Sequence, residues 1–158
     1  MHDIKPIGVI HSPYSNIEDM PIQPKGASGV KGQVLVNEAY IDGLQDLEGF
    51  SHIYLLYSFH QAARTELVVT PFMDNQPRGV FSTRSPLRPN HIGISIVRLK
   101  KIQANTLFVE DIDVLDQTPL LDIKPYMHKF DAVKASRSGW MQSSDDDIKK
   151  KRSDARFK

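Results

Sequence analysis

Two stretches of this 158-residue chain concentrate groups capable of chemistry. The first is Arg78–Gly93, RGVFSTRSPLRPNHIG. Pro86 and Pro89 restrict φ there and stiffen the loop, which gives Arg84 and Arg88 preset directions. A planar guanidinium suits recognition of a carboxylate or phosphate. Asn90 and Ser95 are placed to orient a polar ligand. The competing reading is a rigid turn whose arginines pair with nearby aspartates. The second stretch is Asp111–Tyr126, DIDVLDQTPLLDIKPY. It places Asp111, Asp113, Asp116 and Asp122 near expected strand ends, with Lys124 and Tyr126 after them. Carboxylates so placed can face a cationic ligand, hold an amino group or accept a proton. They are also common turn and cap residues.

Several chemistries are excluded. The chain has no Cys, so it has no disulfide, thiolate metal site or Cys nucleophile. The six His lack metal-ligand spacing, and no metal is expected. No GxGxxG follows the first expected strand, and there is neither a P-loop nor a GxSxG. No apolar run approaches a membrane span, and Met1–Tyr14 does not read as a signal peptide. The expected location is the cytoplasm.

The elements that must position these residues are mostly strands. Ile4–His11 and Val30–Val36 read as strands around a Pro- and Gly-rich loop, Ser12–Gly29. Asn37–Glu48 has apolar residues at helical spacing, with Asn37 as a cap, although Gly43 interrupts it. Ile53–Phe59, IYLLYSF, is nearly all apolar and fits a buried central strand, with Tyr54, Tyr57 and Phe59 as core. His52 and the pair His60-Gln61 bracket it. Glu66–Phe72, Gly79–Thr83 and Leu120–Ile123 are further short strands. Ile92–Ile102 and Thr106–Leu115 form a hairpin about Gln103-Ala104-Asn105. The chain therefore predicts an all-β barrel or sandwich with one short helix and irregular loops. It does not predict the doubly wound α/β fold. One domain, residues 1–140, is expected, followed by a polar charged tail over 141–158.

The net charge of +1 hides an asymmetry. Residues 1–123 carry 10 Lys/Arg against 14 Asp/Glu; residues 124–158 carry 10 against 5. Residues 75–109 carry six Lys/Arg and no carboxylate. Such local excess either attracts a polyanion or is a solvated basic face.

Four blocks make the pattern specific. PIGVIHSPY, DLEGFSHIYLLYSFHQA, RGVFSTRSPLRPNHIGISIVRL and DIDVLDQTPLLDIKPY resemble, in this order, the signature blocks of the TsaA-like (tRNA methyltransferase O) family. Arg137-Ser138-Gly139-Trp140 resembles its short tail motif, so the resemblance spans about residues 4–140. It implies a small antiparallel β-barrel and a homodimer that binds S-adenosylmethionine near the subunit interface. It also implies methylation of N6 of N6-threonylcarbamoyladenosine at position 37 of tRNA. The implied cofactor site falls on Pro21, Ile22, Gln23, His60, Gln61, Arg84, Ile94, Glu110, Asp111, Ile112 and Asp113. Asp113, Asp116 and Tyr126 are the candidates near the proton lost from N6, and Arg88, Lys124 and Arg137 the candidates for RNA phosphate. Three positions depart from the family pattern: Ile22 for an Arg, His91 for a Pro and Gln117 for a Gly. Ile22 removes one polar contact, and His91 and Gln117 leave room for another acceptor. A non-catalytic RNA-binding β-barrel is the other alternative, but exposed aromatics interleaved with basic residues are missing from the pattern.

Overall fold

A computed structural model describes residues 3–21, 24–72 and 74–141. Six strands close into an antiparallel barrel: β1 (Gly8–His11), β2 (Lys31–Val36), β3 (His52–Ser58), β6 (Ile92–Gln103), β7 (Thr106–Glu110) and β8 (Thr118–Pro125). Their order around the barrel is β1-β2-β7-β6-β3-β8, and β8 returns to β1. Closure pairs every strand on both sides and removes exposed sheet edges. A second unit holds β4 (Val68–Val69) and β5 (Arg78–Gly79), which cover Val69, Val80, Leu87 and Phe72. One four-residue helix, α1 (His128–Asp131), follows β8.

The core follows from alternation. On β3, Ile53, Leu55 and Tyr57 point inward, while Tyr54, Leu56 and Ser58 are half-buried. On β6, Gly93, Ser95, Val97 and Leu99 point inward and Ile94, Ile96, Arg98 and Lys100 outward. Ile10, Val34, Val36, Leu107, Val109 and Leu120 complete the filling, capped by Ile112 and Val114. Each fully buried Leu, Ile or Val contributes roughly 1.5–3 kcal/mol of transfer free energy. The apolar run Ile53–Phe59 is thus buried on one face only.

Several expected elements change in kind. The stretch Asn37–Glu48 is not an α-helix. It forms 3₁₀ turns over Glu38–Leu44 and Leu47–Gly49, divided where Asp46 adopts φ 68°, and Asn37 makes no side-chain cap. Gly79–Thr83 becomes the end of β5 and a 3₁₀ turn over Val80–Ser82. β7 stops at Glu110 because Asp111 turns left-handed at φ 67°. Of the expected tail, only Met141 lies among the described residues.

Gly8 shows how tightly the barrel is drawn. A Cβ there would sit 2.1 Å from the Leu35 carbonyl oxygen, which is backbone and cannot swing away. Gly8→Ala is expected to cost about 3 kcal/mol, at the upper end of overpacking effects. A urea midpoint unchanged from wild type would refute this account of β1–β2 packing.

Candidate functional site

The site grows from the end of β7. After Glu110, the Asp111 carboxylate accepts the Gly29 N–H at 2.6 Å, and Ile112 N–H donates to the Val30 carbonyl at 3.2 Å. These bonds turn the chain across the barrel mouth, where Ile112, Asp113, Val114 and Leu115 are all buried. Asp113 is 6% exposed. Its carboxylate accepts the Ser95 hydroxyl at 2.6 Å, and Ser95 Oγ lies 2.9 Å from the Tyr57 hydroxyl. Inward positions on β3 and β6 bring these groups to the Asp113 crossing segment. Gly93 makes room for the Tyr57 ring, since a Cβ there would lie 2.4 Å from Tyr57 Cε2.

Burial pushes the Asp113 carboxyl up to about 7, and the Ser95 hydroxyl, its own backbone N–H and the Arg84 guanidinium draw it back. Burial pushes the Tyr57 phenol up too, and the Asp113 charge adds to this. A buried carboxyl raised by burial and facing a guanidinium makes Asp113 a candidate site residue.

Arg84 is exposed and close enough to act on both Asp113 and Tyr57. Its loop is held less by prolines than by its own polar groups. Arg88 Nη1 donates to the Thr83 carbonyl at 2.9 Å and the Ser85 carbonyl at 3.3 Å. Leu87 N–H donates to Ser85 Oγ at 3.1 Å, and the His91 ring Nδ1 lies 2.9 Å from the Pro86 carbonyl. Arg88 therefore braces the loop that presents Arg84, which is a different task from the expected phosphate contact. His60 stands at the same mouth, exposed, its Nδ1 3.5 Å from Thr118 Oγ1, with exposed Gln61 beside it. Pro21 is buried; Ile22 and Gln23 lie outside the described residues.

Other expected site residues go elsewhere. Burial raises the Asp116 carboxyl, but the Ser12 N–H at 3.0 Å and the His11 ring at 3.2 Å outweigh this and hold it below the usual carboxylate range. Asp116 thus ties the end of β1 to the β8 turn. Gln117 keeps that turn at φ 66° and donates its N–H to the Ile10 carbonyl at 2.8 Å. Only glycine adopts this φ freely, so Gln117 holds the turn at a conformational cost. Tyr126 sits by His52, to whose carbonyl its N–H donates, with its ring against Tyr54. His52 and Tyr57 are five residues apart on β3, roughly 16 Å. The fold therefore does not bring Tyr126 to Asp113. Lys124, at that far end, pairs with Asp122 at 3.3 Å. Ile94 faces outward, and Glu110 lies opposite Lys31 and Arg98. Arg137 is exposed just before Trp140, whose indole N–H donates to the Ser82 carbonyl at 2.8 Å. The residue that sequence reasoning misses is Tyr57, which looks like simple core. The available signal is its inward register opposite Gly93, one step from polar, inward Ser95.

The chain is thus a small closed antiparallel β-barrel with a buried carboxylate and two hydroxyls beside an arginine-bearing loop. Residues 9–132 match the tRNA-methyltransferase O N-terminal domain family, and the chain belongs to that family. A probable S-adenosyl-L-methionine-binding protein of Pyrococcus abyssi is 48% identical over 153 residues, covering 97% of this chain and 83% of that protein. The human tRNA (adenine(37)-N6)-methyltransferase is 33% identical over 135 residues, covering 81% of this chain and 31% of that protein. The crystal structure of TrmO from Pseudomonas aeruginosa superposes with a TM-score of 0.75 at 38% identity, covering 90% of this chain and 63% of that one. The chain thus spans less than two thirds of the solved TrmO and about a third of the human enzyme.

Proposed function

We propose that this chain transfers a methyl group from S-adenosylmethionine to N6 of N6-threonylcarbamoyladenosine at position 37 of tRNA. The observation that carries the reading is the buried Asp113 carboxylate, hydrogen-bonded to Ser95 beside the Arg84 loop. Family membership and the activity for which the human relative is named support the same reading.

The donor set fits the cofactor. Arg84 offers a guanidinium to a carboxylate, and Asp113 offers negative charge to a cation. His60, Gln61, Pro21 and the Glu110–Asp113 stretch supply polar and apolar surface for the nucleoside. When bound, S-adenosylmethionine supplies an electrophilic methyl group on sulfur. The acceptor N6 is a poor nucleophile because the adjoining carbonyl withdraws its lone pair. Asp113 takes its proton; an acceptor that titrates near the working pH is the efficient choice. Holding the two reactants in line at the barrel mouth supplies much of the remaining rate.

The tRNA backbone falls to Lys124, Arg137 and the basic excess after residue 123, with Arg88 acting through its loop. A homodimer is part of the proposal. Ile94 and Ile96 are 42% and 38% exposed on the outer face of β6, opposite Leu56 and Tyr54 of β3, and a second copy would cover them. No helix among the described residues is long and apolar enough to cross a membrane, and the proposed setting is the cytoplasm.

Calorimetric titration with S-adenosylmethionine tests the cofactor assignment. Wild type is expected to bind saturably and Arg84→Ala to bind about ten- to a hundredfold more weakly, the worth of one charged hydrogen bond. A flat titration of folded wild-type protein would contradict the proposal.

A further inference from the structure

We propose that Tyr57 and Ser95 form a hydroxyl relay that aims the Asp113 carboxylate and sets when it takes a proton. Its catalytic meaning rests on the function proposed above; its existence does not. An ionised carboxylate only accepts hydrogen bonds, and Ser95 has a single hydroxyl proton. At 2.6 Å that proton is given to Asp113. Ser95 Oγ must then accept at 2.9 Å from Tyr57, the remaining donor. While Asp113 is ionised the direction is therefore Tyr57 to Ser95 to Asp113. Burial keeps the phenol protonated, so it stays a donor across the working range. Its ring is fixed as well. It packs edge-on against Phe59 with centroids 5.5 Å apart and lies in the space that Gly93 leaves open. A core phenylalanine would fill that volume without the hydroxyl, so the hydroxyl needs a purpose beyond packing.

Tyr57 is thus a positioning residue, because it reaches Asp113 only through Ser95. The groups that face the carboxylate are Ser95 from β6, Tyr57 behind it from β3, the Asp113 backbone N–H, and the Arg84 guanidinium from its loop. Ser95 stabilises the ionised form directly. Tyr57 strengthens it by polarising the Ser95 hydroxyl, since chained hydrogen bonds reinforce one another.

The test is a ¹³C-carboxyl NMR titration of the protein without ligand. Wild type, Tyr57→Phe, Ser95→Ala and Ser95→Thr are compared, and Asp113→Asn assigns the signal. The Asp113 midpoint is expected to rise by about one pH unit in Ser95→Ala and by a few tenths of a unit in Tyr57→Phe. Ser95→Thr, which keeps the hydroxyl, should retain the wild-type midpoint. Tyr57→Phe preserves ring volume, so its thermal midpoint should stay within a few degrees of wild type. Unchanged midpoints in both Tyr57→Phe and Ser95→Ala would overturn the relay. So would an equal rise in Ser95→Thr and Ser95→Ala, which would assign the effect to packing. The low-pH limb of kcat/KM for tRNA methylation should move by the same increments. Midpoints that shift without any such limb in the rate would leave the relay standing and remove Asp113 from the chemistry.

Discussion

Asp113→Asn will lose methyl transfer by a factor of roughly 10²–10⁴ and yet be more stable than wild type at pH 8. Both effects have one cause. The Asp113 carboxyl is raised from 3.8 to about 7, chiefly by burial. The native state therefore binds this proton more tightly than the unfolded chain. The stabilisation is complete below the unfolded value near 3.8 and is lost as pH rises through about 7. At pH 8 the wild type holds a buried charge that asparagine does not carry. The difference between 3.8 and 7 sets an upper bound of about 4 kcal/mol on the gain from neutralising it. Ser95 can still donate to the asparagine oxygen, so its hydroxyl keeps an acceptor. Urea unfolding of both proteins at pH 5 and pH 8 checks the stability half. The margin of the Asp113→Asn protein over wild type should widen clearly at pH 8; equal margins at both values would contradict the assignment. Single-turnover kinetics check the other half, and near-normal transfer by Asp113→Asn would exclude it as the proton acceptor.

His91→Pro will destabilise the protein by about 3 kcal/mol or more, although the family pattern has proline there. His91 adopts φ 52°, far from the φ near −65° that the proline ring imposes. Its N–H donates to the Arg88 carbonyl at 3.1 Å, and its carbonyl accepts the Phe59 N–H at 2.8 Å. Its ring nitrogen lies 2.9 Å from the Pro86 carbonyl. Proline would remove the first and last of these and force a new path on the segment linking Arg84 to β6. Thermal unfolding should fall by many degrees, with loss of cofactor affinity following the displaced loop. A variant as stable as wild type would show that the loop has a second packing open to it. The departure at residue 91 is therefore a local solution, in which a left-handed histidine with three hydrogen-bonding groups replaces the rigidity of a ring.

The all-β class is readable in the sequence because its evidence is periodic, whereas the choice of barrel over sandwich rests on the family resemblance. Alternation in β2 and β6, the turn at residues 103–105 and the lack of strand–helix repeats all point the same way. The 3₁₀ turns over Glu38–Leu44 are less readable, because Tyr40, Ile41 and Leu44 fit helical spacing whether or not the helix forms. What ends it is backbone behaviour at Gln45-Asp46, where Asp46 turns left-handed. The site is half readable. Asp113 and Arg84 stand in dense polar segments. Their different surroundings from those of Asp116 and Tyr126 depend on where each strand ends, and that is set by pairing register rather than composition. Asp116 spends its carboxylate on Ser12 and His11, more than 100 residues earlier in the chain. Tyr126 comes after β8 has run the length of the barrel away from the mouth. Tyr57 stays hidden because a phenol in an apolar run looks like packing until its partner strand is known.

Methyl transfer itself decides what the barrel mouth does. The purified chain is incubated with S-adenosylmethionine and threonylcarbamoylated tRNA, and the nucleosides are then resolved by mass spectrometry. N6-threonylcarbamoyladenosine is expected to gain one methyl group on N6, and the Asp113→Asn protein to fail to add it. An unmodified nucleoside with folded, cofactor-loaded protein, or a methyl group placed on a different base, would contradict the proposed function.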